Sequence, residues 1–92
     1  MSDEQLSLGV AQIPGGARVR LFRDGARNGG RSLLRYVDLI VFTCDGMDIE
    51  IDAHEVATMG SWSARAVLDL WRALEELGYA VQVNFGRVIP LP

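Results

Sequence analysis

The chain has 92 residues, 49% of them hydrophobic and 23% charged, with a net charge of −3. That length accommodates one domain and excludes a two-domain enzyme, and the balance is too apolar for a disordered chain. No run of about 18 apolar residues is present, so neither a transmembrane helix nor direct membrane insertion is expected.

The acidic start, MSDEQLSLG, lacks the positive region of a secretion signal, and a cytoplasmic location is expected. Cys44 and His54 are single examples of their types, too few for an internal disulfide, a zinc cluster or a conventional metal site. No cofactor or metal is expected. All nine basic residues are Arg. Residues 1–4 read as a disordered N-terminus and 5–92 as a single domain.

The elements follow in chain order. Leu6, Leu8 and Val10 alternate as a strand would, and Ile13-Pro14-Gly15-Gly16 turns the chain. Arg18-Val19-Arg20-Leu21 alternates strictly, giving a strand over 18–22 with one apolar and one ionic face. A glycine-rich loop, Gly25 through Gly30, carries Arg27 and is flanked by Arg23 and Arg31. It lacks the lysine and spacing of a phosphate-binding loop.

Residues 31–44, RSLLRYVDLIVFTC, support two readings. Leu33, Val37, Ile40, Val41 and Cys44 fit a helical stripe. The β-branched and aromatic residues, followed by Asp45-Gly46, equally fit the first arm of a hairpin. Cys44 reads as a buried small hydrophobe at the helix end. Asp48 to Asp52 alternates again, now with acids, and Ala80 to Asn84 alternates with amides. Between them, residues 62–77 place Val67, Leu70, Trp71, Leu74 and Leu77 on one stripe, with Ser61 or Ser63 as cap and Gly78 as terminator.

Topology favours the helix at 31–44. Crossovers between parallel strands are right-handed in nearly all cases. If strands 18–22, 48–52 and 80–84 lie in that order, both crossover helices fall on one face, which is the one-sided burial that alternation requires. The fold class expected is α/β, a four-stranded mixed sheet with two main helices on one face, in the order β-β-α-β-α-β.

Charge supports this order. Residues 18–35 hold six Arg against Asp24, and residues 36–55 hold six acids and no base. The proposed order sets Arg18 and Arg20 beside Asp48, Glu50 and Asp52, which explains the segregation without a ligand. It also makes nucleic-acid binding through the Arg-rich stretch 18–35 the weaker reading.

This order and spacing resemble the STAS domain, the family of sulfate transporters and anti-sigma factor antagonists, over roughly residues 6–89. The opening LSLGVAQIPGGARVRLFRDG resembles the family's first hairpin. IEIDAHEVATMGSWSARAVLDLWRALEELGYAVQVN resembles its strand ending in Asp, loop ending in Ser, Leu-rich helix, glycine and strand. Asp52, Val56, Ser61, Leu68, Leu70, Leu74 and Gly78 fall on matching positions. Three departures stand out: Gly60 replaces the Asp that usually precedes the serine, Trp62 and Ser63 stand where a small glycine usually follows it, and Pro90-Leu91-Pro92 stands where the family continues into a final helix.

The resemblance implies a non-enzymatic, bacterial regulatory module. Its expected partner is an anti-sigma kinase, or the ATPase of a phospholipid transporter for which the chain would be a soluble accessory subunit. The surface implied is Gly60, Ser61, Trp62, Ser63 and Arg65. Ser61 has two readings: a helix cap, favoured because serine caps are common, and a phosphorylation site, where added negative charge would sit at a helix N-terminus.

Trp62 reads either as an exposed anchor or as a staple under the loop. Asp52, His54 and Glu55 suggest acid–base chemistry only superficially, for no nucleophile or oxyanion site accompanies them; Asp52 and Glu55 have the spacing of a capping box. The absent final helix points to a partner or to a homodimer covering apolar surface. The alternative function is a small inhibitor or nucleic-acid-binding protein acting through 18–35.

Overall fold

The computed structural model describes residues 5–24, 33–58 and 61–86. The elements are β1 (Gln5–Ile13), β2 (Gly15–Asp24), α1 (Val37–Thr43), β3 (Gly46–Asp52), α2 (Ser61–Glu76) and β4 (Ala80–Asn84). Single 3-10 turns precede each helix, at Leu33–Tyr36 and Glu55–Thr58. The sheet runs β1-β2-β3-β4, with β1 antiparallel to β2 and the other neighbours parallel. The expected architecture, a four-stranded mixed sheet with two helices, is the one observed. The N-terminal residues 1–4, the loop residues Arg27 and Arg31, and Pro90-Leu91-Pro92 lie outside the described residues.

Segment 31–44 resolves to the helical alternative. Leu33 and Ile40 are buried, and Val37, Val41 and Cys44 pack against the core. The residues are poor intrinsic helix formers, so burial of the stripe rather than propensity selects the helix. The cost shows in its short length, with the first turn wound as 3-10. Cys44 caps the end of α1 and packs against the core as expected, but it is half-buried rather than buried, and its Sγ lies 3.2 Å from the Gly46 carbonyl oxygen.

The core lies between the sheet and the helices. Val19 and Leu21 from β2, Ile49 and Ile51 from β3, and Val67, Leu70 and Leu74 from α2 are almost wholly buried. Where β2 and β3 begin, their register shifts between Gly15 and Gly16. A β-carbon on Gly16 would overlap the Asp48 carbonyl, and one on Gly46 would overlap the Gly15 carbonyl. The two glycines therefore permit a backbone approach that no side chain allows.

Helix α2 ends in a Schellman motif. The Gly78 N–H donates to the Glu75 carbonyl (2.9 Å) and the Tyr79 N–H to the Leu74 carbonyl (3.2 Å), with Gly78 at φ +98°. This corrects the expected stripe at its last member. Leu77 follows the final helical residue and is 57% exposed, because the chain has already begun its turn into β4.

Candidate functional site

Period-two alternation sorts each strand's side chains onto opposite faces. With the apolar residues of β2 and β3 under the helices, Arg18, Arg20 and Phe22 share the open face with Asp48, Glu50 and Asp52. The parallel register sets Arg18 beside Glu50 and Arg20 beside Asp52, and β4 adds Gln82 and Asn84 to the same two rows. Arg18 bonds Glu50 Oε2 through Nη2 (3.1 Å) and Nε (3.3 Å). Arg20 reaches past Asp52 to Glu55 (3.7 Å) and lies over the Phe22 ring at 5.9 Å. For Arg18 and Arg20, then, the basic stretch meets the acidic one within the fold: Arg18 pairs with β3 and Arg20 with the turn that follows it.

At the carboxyl ends of the parallel strands, Arg20, Leu21, Asp52, His54 and Glu55 line a cavity of about 220 Å³. Crevices at this end of a parallel sheet are where α/β folds commonly place ligands. Here, however, Asp52 is occupied in forming the turn. Its Oδ1 accepts the His54 backbone N–H (3.2 Å) and lies 3.7 Å from His54 Nδ1. The bond from the His54 N–H makes this an Asx turn. Among the described residues that line it, none is a serine, threonine or cysteine that could act as a nucleophile. Among the described residues, no group of three His, Cys, Asp or Glu could hold a metal ion, and no helix is long and apolar enough to cross a membrane.

The chain runs from this rim through the turn Glu55–Thr58 into α2, so the start of α2 lies at the same end of the sheet. Of the anticipated surface, Gly60 and the side chains of Ser61, Trp62 and Ser63 lie outside the described residues. The backbone of Ser61 opens the helix. Arg65 is exposed, and its Nε lies 3.5 Å from Asp69 Oδ1 one helical turn on. The described part of the rim therefore presents Arg20, His54, Glu55 and Arg65 to solvent.

Two features escaped the sequence reading. Phe42 is 88% exposed on α1, with Leu39 at 47% beside it on the outer side. Both lie off the stripe of Leu33, Val37, Ile40 and Val41, which is the signal that would have found them. Trp71 is half-buried beside β4, outside the core cluster, and its indole Nε1 is buried without a hydrogen-bond partner among the described residues. Periodicity assigned Trp71 to the core stripe but is blind to the needs of its N–H.

No family model, curated protein or solved structure matches this chain.

Proposed function

We propose that the chain is a STAS-like regulatory module that works by binding another protein and catalyses no reaction. The observation that carries this reading is the arrangement itself: a β1-β2-α1-β3-α2-β4 chain in one mixed sheet, with Ser61 opening the second helix. The binding surface is the loop and first turns of α2, comprising Gly60, Ser61, Trp62, Ser63 and Arg65. The partner is a bacterial anti-sigma kinase or the ATPase of a phospholipid transporter. With a kinase as partner, the kinase supplies ATP and Ser61 is the acceptor.

The Arg-rich alternative is the weaker reading. Arg18 and Arg20 already lie against Glu50 and Glu55, so phosphate binding there would have to displace carboxylates.

Affinity capture from a bacterial lysate with the full chain and its Trp62→Ala variant tests the surface. The expected result is a kinase or transporter ATPase retained by the wild type and lost by the variant. Equal capture by both would reject this surface. Duplex DNA binding that weakens steeply with salt would instead favour the Arg-rich alternative.

A further inference from the structure

We infer that β4 is a dimerisation edge, pairing antiparallel with β4 of a second copy to make one continuous sheet. Among the described residues β4 has a single neighbour, β3. The Ala53 N–H donates to the Asn84 carbonyl (2.7 Å), so the backbone groups of Asn84, and by alternation those of Gln82, point towards β3. Those of Val81 and Val83 therefore point away from β3 and, among the described residues, have no strand to pair with; an extended strand would satisfy them.

Soluble proteins normally guard such an edge with charge, proline or a bulge. From Leu77 to Gly86 this chain has no charged residue and no proline, and β4 pairs with β3 in unbroken register.

The surroundings favour an apolar visitor. Trp71, Val81, Val83 and Phe85 line one side of a groove of about 670 Å³ along this edge, and Glu50, Gln82 and Asn84 the other. Phe85 is 43% exposed, and the Trp71 Nε1 donor has no partner among the described residues. The fitting occupant is therefore an extended strand, alternately apolar and polar like the two sides of the groove. The chain's own β4 has those properties.

About a twofold axis through Gln82, Val81 faces Val83 of the second copy and Val83 faces Val81 of the second copy. These are the residues with outward backbone groups, so they form the hydrogen-bonded pairs of an antiparallel ladder. They also keep their side chains on the helix-covered face. Both helix layers then lie on the same side, the contact is isologous, and it closes on itself. Because β4 lies at the sheet edge, this contact is independent of the partner reading proposed for the start of α2.

Sedimentation of the full chain from micromolar to millimolar concentration tests the inference. The expected result is a concentration-dependent species of twice 10.1 kDa. Val83→Pro removes an outward N–H while sparing the ladder to β3, and should give a monomer with unchanged far-ultraviolet dichroism. Gln82→Glu and Gln82→Lys each set like charges across the axis. Each should be monomeric alone, and mixing them should restore a mixed dimer. The mixing result decides the question even if Val83→Pro fails to fold. A wild type that stays monomeric throughout, a dimer that persists in folded Val83→Pro, or Gln82 variants that fail to recombine would each overturn the inference.

Discussion

The two faces of β2 differ by one residue step and by almost everything else. Val19 is wholly buried beneath the helices, whereas the side chain of its neighbour Arg18 is 59% exposed on the open face. On the covered side, specificity comes from shape, since Val19, Leu21, Ile49, Ile51, Leu70 and Leu74 must fill one space together. On the open side it comes from charge order, since a row of Arg lies beside a row of acids. A closely packed interior punishes any change of volume, while solvated ion pairs are weak and adjustable. The contrast explains how one strand can serve folding on one side and leave the other chemically free.

The sharpest way to break the comparison is Leu70→Ala. Leu70 is fully buried, and emptying its site should cost about 2–5 kcal/mol, read as a lower urea midpoint. An effect well below about 1 kcal/mol would mean that the core is not close-packed at α2.

Gly16→Ala refines the contrast, because Gly16 is a buried position of the same strand whose β-carbon would meet the Asp48 carbonyl. It should lower the urea midpoint by at least the equivalent of about 1–3 kcal/mol, the usual cost of overpacking, because the two backbones must separate to admit the methyl. The smallest effect belongs to Arg18 and Glu50. A double-mutant cycle with Arg18→Ala and Glu50→Ala should return a coupling of about 0.2–1 kcal/mol that shrinks in high salt. A larger, salt-insensitive coupling would show that this face is covered rather than open.

The fold was legible in the sequence because its signals were mutually consistent. Three strictly alternating segments implied one buried face, the handedness of crossovers then put both helices on it, and the Arg of 18–22 and the acids of 48–52 fell on neighbouring strands. That chain of constraint also decided residues 31–44, where local propensity pointed to a strand.

Other details depended on things that periodicity does not encode. Leu77 continues the helical spacing, but the glycine after it turns the backbone before a side chain there can reach the core. Phe42 is strongly apolar yet sits opposite the stripe. The candidate site was less legible than the fold. Asp52, His54 and Glu55 are close in sequence and do gather at the rim, but the hydrogen bond from the His54 backbone to Asp52 depends on a turn geometry that residue types alone left open.

The tight exit from α2 has a further consequence. Only Leu77, Gly78 and Tyr79 separate the helix from β4, and the Tyr79 N–H is already bonded back to Leu74. With no slack in that link, helix length meters where the last strand sits. Inserting one residue within α2 would have to rotate its buried stripe by about 100° or slide β4 by a single step. The slide would carry Gln82 inward and turn Val81 and Val83 outward. The helix thus works as a ruler, and a change of one residue in its length would turn the last strand inside out.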